Sequence, residues 1–119
     1  IRRNSDVDLL VICNYFITLQ AGLPCPDPYT GNPKDDLLTL RNNCVKQLGK
    51  VSPKLNIDDS GAKSVKVSGG HLVVSVDVVP ANWYETKESY ASNLKVDKGI
   101  MVLDKKKMQR IKNYTFKFN

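Results

Sequence analysis

Three features of the 119-residue sequence predict a mixed α+β fold. Asp6 to Cys13 (DVDLLVIC) and His71 to Val79 (HLVVSVDVV) are β-branched apolar runs of strand length. Between them, Asn32-Pro33 opens a stretch in which Leu37, Leu40 or Cys44, and Leu48 recur at helical spacing. The resulting order of strand, helix, strand, strand, strand describes a mixed α/β or α+β domain.

Each element has its own signals. The Asp6–Cys13 run, bounded by Asn4-Ser5 and Asn14, reads as a central strand buried on both faces. Residues 22–33 (GLPCPDPYTGNP) hold four of the six prolines and must form a loop. Pro33 then starts the helix, with Asp35 and Asp36 in its first turn and Gly49 as its expected stop. Asn56 to Ser60 is expected to break the chain, and Ala62 to Val67 alternates weakly. Gly69-Gly70 turns into the His71–Val79 strand, which Pro80 is expected to end. Gly99 to Leu103 is a short strand, and residues 108–118 form an extended or irregular tail.

Composition excludes several classes. The length suits one domain, and 41% hydrophobic with 25% charged residues argues against wholesale disorder. The longest apolar run, Leu9 to Cys13, has five residues, against about 18 for a membrane span, so no membrane partner is expected. Acidic Asp6 and Asp8 at the first apolar run do not suit a signal peptide. Cys13, Cys25 and Cys44 form no CxxC pair, and His71 is the only histidine, so neither a disulfide framework nor a zinc site is indicated. A cytoplasmic location is expected. Residues 1–60 carry seven Lys/Arg and seven Asp/Glu, so the whole net charge of +6 lies in residues 61–119. Such a half suits a polyanionic partner, or its Lys105-Lys106-Lys107 run merely solvates a turn.

The acidic residues carry the chemistry. Asp6 and Asp8, spaced i, i+2, project from one strand face about 6–7 Å apart. Asp77 lies inside the most apolar stretch of the second half. An isolated buried carboxylate is costly, so Asp77 needs a reason to be there. If the two strands are neighbours, three carboxylates converge on one patch and repel one another unless a divalent cation neutralises them. Mg²⁺ is commonly held by one or two carboxylates plus substrate phosphates, the arrangement of a two-metal nucleotidyl-transfer site. The alternative places Asp6 at a strand end, Asp8 on a solvated face and Asp77 beside a lysine.

Ser5-Asp6-Val7-Asp8-Leu9-Leu10-Val11, followed by Val76-Asp77-Val78-Val79-Pro80-Ala81, resembles the polymerase-β-type nucleotidyltransferase superfamily. Within it, the VDVVPA stretch looks most like the bacterial cyclic-oligonucleotide synthases related to the cGAS and oligoadenylate-synthetase enzymes. Gly99 to Asp104 and Asn113-Tyr114 are similar to the end of that family's catalytic palm. The resemblance implies that residues 1–119 are a partial palm domain, a mixed sheet with flanking helices. The family's Gly-Ser turn before the first aspartate and its helical lobe after the palm are both missing from this sequence, which is therefore expected to be a fragment of a longer protein. It further implies Mg²⁺ (or Mn²⁺) bound by Asp6, Asp8 and Asp77, with Asp77 helping to deprotonate the attacking ribose hydroxyl. Ser5 supports the nucleotide-binding loop or simply enters the strand.

The implied substrates are nucleoside triphosphates, joined into a cyclic or short linear messenger with release of pyrophosphate. A nucleic-acid or protein activator and an anti-phage role follow from the family alone. The alternatives are another acceptor (an antibiotic, a protein or an RNA 3′ end) or a non-catalytic, basic nucleic-acid-binding module. Trp83 and Tyr84 either stack on a base or cover the core's edge. Lys87, Lys95, Lys98, Lys105 to Lys107 and Arg110 are candidates to guide phosphate, and His71 reads as a surface or capping residue.

Overall fold

The alternating valines of Val76–Glu85 build the strand around which the sheet is organised. The computed structural model describes residues 7–113. In chain order the elements are β1 (Val7–Leu19), α1 (Pro33–Val51), β2 (Leu55–Asp58), β3 (Val65–Gly69), β4 (Val76–Glu85), α2 (Lys87–Ser92), a 3₁₀ turn (Lys95–Asp97), β5 (Gly99–Asp104) and β6 (Gln109–Asn113). One edge of β4 pairs in parallel with β1, from Val7↔Val76 to Leu19↔Glu85. Two antiparallel neighbours share the other edge: β3 pairs with Val76 to Val78, and β5 pairs from Ala81 to Tyr84. β2 and β6 extend the sheet beyond β3 and β5.

Strand alternation gives the sheet two apolar faces. On one, Val65, Val67 and Val78 are buried against Val11, Cys44, Val45 and Leu48, so α1 packs here. Cys13, Phe16, Leu37 and Leu103 form a separate buried cluster. The opposite face carries Ala81, Ile100 and Val102 with Leu10, Ile12, Val79 and Trp83.

The helix begins where expected, since the Asn32 side chain accepts from Lys34 N and Asp35 N at 3.1 and 3.3 Å. It runs through Gly49 to Val51 and stops because Pro53 forces Ser52 into an extended conformation (φ −148°, ψ 108°). β1 is longer than its apolar core and, among the described residues, pairs only with β4. It is not a central strand buried on both faces: Val7 and Leu9 are each 52% exposed. The apolar run is split between the two sheet faces, and neither face is covered near its start.

Residues 56–58 are strand rather than a break, because Leu55 and Ile57 alternate with polar neighbours. The turn comes afterwards, where the Asp58 carboxylate accepts from Ser60 N at 2.9 Å. The expected His71–Val79 strand starts only at Val76; Val73, 97% exposed, belongs to the preceding turn. Left-handed Gly69 (φ 80°) and Gly70 (φ 56°) start that turn. Pro80 does not end β4. It lies between the segment paired to β3 and the segment paired to β5, where a missing N–H costs the ladder least. Part of the expected irregular tail is β6, and residues 114–118 of it lie outside the described residues.

Candidate active site

Four strands bring a charged residue to the same level of the sheet, the outermost being Asp58 of β2, opposite Lys66. Asp8 of β1 stands opposite Asp77 of β4, and Asp77 stands opposite Lys66 of β3. The local sequences explain why. Val7-Asp8-Leu9, Val65-Lys66-Val67 and Val76-Asp77-Val78 each flank the charge with apolar residues. Val65, Val67, Val76 and Val78 join the cluster facing α1, so alternation sends each charged side chain to the opposite face. The main chain fixes the row's origin through Val7 N donating to Ser75 O at 3.0 Å.

Lys66 Nζ lies 3.4 Å from Asp77 Oδ1, with the lysine side chain 45% and the aspartate 21% exposed. Asp8 is exposed. Asp6 and Ser5, the other expected site residues, lie outside the described residues. Among the described residues no group of three acidic, histidine or cysteine side chains could hold a metal; the structure supplies the Asp8–Asp77 pair. The donor chemistry of that pair suits Mg²⁺ or Mn²⁺. Two hard oxygen donors face outward at one register position, and a cationic group already sits against one of them.

The softer candidates separate. Trp83 and Tyr84 are strand residues on opposite faces. Trp83 packs with the Ala81–Ile100–Val102 cluster under Lys95 Nζ (5.9 Å from the ring centroid), and six strand residues place it about 20 Å from Asp77. Tyr84 is buried beneath Lys112 Nζ at 5.3 Å. Much of the basic half is engaged internally. Lys98 Nζ contacts Glu85 Oε1 at 2.6 Å, Lys105 Nζ lies 3.3 Å from Asp59 Oδ1, and Arg110 donates to Thr18 Oγ1 at 2.7 Å. Lys106 and Lys107 are exposed in a turn capped by the Asp104 carboxylate. His71 is an exposed turn residue.

A groove of about 540 Å³ opens at the other end of β1, lined by Tyr15, Phe16, Cys25 and Tyr29 among others. Phe16 and Tyr29 stack there at 4.7 Å, and the Tyr29 hydroxyl donates to the Asp36 carboxylate, which pushes its pKa up to about 12. This groove is remote from the carboxylate row, because seven strand residues separate Tyr15 from Asp8, about 23 Å.

The alternative reading of the sequence, Asp8 solvated and Asp77 beside a lysine, describes these contacts, but it does not identify that lysine as Lys66. Its signal was present: a lysine between two valines on a strand next to the Asp77 strand must share the aspartate's face whenever the register is even.

The cyclic dinucleotide synthase CdnE of Yersinia aleksiciae is 34% identical over 113 residues, covering 94% of this chain and 30% of that protein. The c-di-GMP synthase of Lachnospiraceae bacterium (strain RUG226) is 29% identical over 129 residues, covering 88% of this chain and 37% of that protein. These similarities support a cGAS-like nucleotidyltransferase family for the chain. It spans about a third of the length of these curated relatives. No family model matches the sequence. The solved structure of a STING-associated CdnE c-di-GMP synthase from Flavobacteriaceae sp. superposes with a TM-score of 0.80 at 24% identity, over 95% of this chain and 37% of that one. That likeness shows that the two share a fold over this chain's length. No described helix is long and apolar enough to cross a membrane.

Proposed function

We propose that the protein carrying this domain is a divalent-metal-dependent nucleotidyltransferase that joins two nucleoside triphosphates into a cyclic dinucleotide and releases pyrophosphate. The observation that carries this reading is the Asp8–Asp77 register on adjacent parallel strands. Asp6, two residues before Asp8 in the sequence, would be the third ligand, as the resemblance to the family implies. The relatives named as cyclic dinucleotide and c-di-GMP synthases support the product class.

Asp6, Asp8 and Asp77 would hold the metal, and Asp77 would draw the proton from the attacking ribose hydroxyl. A bound Mg²⁺ or Mn²⁺ would supply Lewis-acid activation of that hydroxyl and neutralise charge on the leaving pyrophosphate. The chain's own contribution is positioning and electrostatics, since strand backbones fix the carboxylates before substrate arrives.

The test uses the full-length protein with four α-labelled nucleoside triphosphates and Mg²⁺ or Mn²⁺, followed by phosphatase and separation. A phosphatase-resistant product is expected from the wild type and absent from Asp77→Asn. A product that survives Asp77→Asn would sink the three-carboxylate mechanism. Its absence in the wild type under both metals would move the reading to another acceptor.

A further inference from the structure

We infer that Lys66 is a positioning residue for Asp77, a resident counter-charge that holds the carboxylate in the metal-free protein and sets how tightly the site takes a divalent cation. The inference rests on the carboxylate reading above and assigns a role to a residue outside it. Lys66 occupies the register position opposite Asp77, on the strand edge away from Asp8. Adjacent strands lie about 4.8 Å apart, so Asp8, Asp77, Lys66 and Asp58 of β2, which stands opposite Lys66, form a row of minus, minus, plus, minus. Without the lysine, two carboxylates would stand at neighbouring positions with nothing from β3 to offset them.

The pair's geometry suits a counter-charge that yields. At 3.4 Å, Nζ is beyond the roughly 2.7–2.9 Å of a closed charge-assisted hydrogen bond, and the lysine side chain is 45% exposed. Contrast Lys98 and Glu85, at 2.6 Å with both side chains largely buried, a pair that behaves as fixed structure. The Lys66 ammonium can therefore swing toward Asp58, its neighbour on β2, or toward a phosphate of the incoming nucleotide, when a divalent cation takes its place at Asp77. Its stem is anchored, because Val65 and Val67 on either side are in the core. A positive charge this close to the ligand carboxylate lowers affinity for a second cation, and removing it raises that affinity.

The experiment is Mn²⁺ titration of the full-length protein without nucleotide, read by electron paramagnetic resonance, with circular dichroism as a folding control. Lys66→Gln is expected to bind Mn²⁺ about three- to tenfold more tightly than wild type, the size set by one nearby, partly screened charge. Lys66→Arg restores the charge and is expected to return wild-type affinity. Asp77→Asn is expected to weaken binding, and in that background Lys66→Gln should no longer tighten it. A structural role alone would not improve metal binding on mutation. Unchanged or weaker Mn²⁺ binding in Lys66→Gln, alongside weakened binding in Asp77→Asn, overturns the role of Lys66 and leaves the carboxylate site standing. Unchanged binding in Asp77→Asn overturns both. Should Lys66→Gln not fold, Lys66→Met and Lys66→Thr, both compatible with a strand, carry the same expectation.

Discussion

Replacing Arg41 by methionine should destabilise the protein markedly, because this helix residue is buried against the sheet's β2–β3 connection. Arg41 is only 2% exposed. Its Nε donates to Asp59 Oδ1 at 2.6 Å, and its terminal nitrogens donate to the carbonyls of Asp59 (3.3 Å), Gly61 (2.6 Å), Ala62 (3.3 Å) and Ser64 (3.0 Å). One guanidinium therefore holds the whole connection from β2 to β3, the segment that delivers Lys66 to β4. Methionine keeps the apolar stem and removes every donor.

Deleting one partner of a buried ion pair costs about 3–5 kcal/mol. Asp59 is 35% exposed and keeps Lys105 at 3.3 Å, so water and that ammonium recover part of the loss. The lower end, about 3 kcal/mol, is expected, equivalent to a melting-temperature fall of roughly 10–18 °C for a domain of this size. Arg41→Lys keeps the charge but loses the fork and should lie between the two. Urea unfolding followed by circular dichroism measures both variants. A loss below about 1 kcal/mol for Arg41→Met, the ordinary cost of an undistinguished substitution, would refute the argument that this guanidinium organises the loop.

Burial pushes the Asp59 carboxyl up, but the hydrogen bonds and charges of Arg41 and Lys105 outweigh it and leave the pKa lowered; Lys98 and Ser89 do the same for Glu85. Stability from a lowered carboxyl is present above its unfolded pKa and is lost as pH falls through the folded one. The urea midpoint should therefore drop below about pH 4, less steeply in Arg41→Met, and a flat acid profile would contradict this. Asn32→Ala removes the acceptor for two N-terminal amides of α1 and should cost about 1 kcal/mol in the same assay; an unchanged midpoint would show the cap to be idle. Iodoacetamide labelling with peptide mapping should modify exposed Cys25 first. Cys13 is buried and should react only on unfolding, while Cys44, half-buried with its thiol pushed up by burial, should react more slowly than Cys25; early labelling of Cys13 would contradict the packing of Cys13 against Phe16 and Leu37.

The sequence was most readable where side-chain chemistry acts locally. Asn32, Pro33 and the acidic first turn mark the start of α1 unambiguously, and a carboxylate among valines marks Asp77 as exceptional. It was least readable where long-range pairing decides. The expected first strand stops at Cys13, yet β1 runs on to Leu19 because β4 continues beside it as far as Glu85. Pro80 reads as a strand end until one knows that the neighbouring strand changes there. Leu72 to Val74 have strand-forming side chains but no partner strand, so they turn in solvent. Lys66 was hidden for the same reason: its meaning lies in register, and register is set by the valines on both strands acting together.

β4 touches both halves of the sheet, since β3 and β5 divide one of its edges and β1 runs along the other. Its amides between Val76 and Tyr84 cannot open without releasing two or three neighbours at once. Hydrogen exchange there should proceed only through global unfolding, while β6 and the turn from Gly70 to Ser75 open in smaller excursions. Asp77 is thus mounted on the segment with the least freedom to fluctuate by itself. Any destabilising change elsewhere in the domain would lower the population of molecules holding that carboxylate in place before it altered the carboxylate's position in those that remain folded.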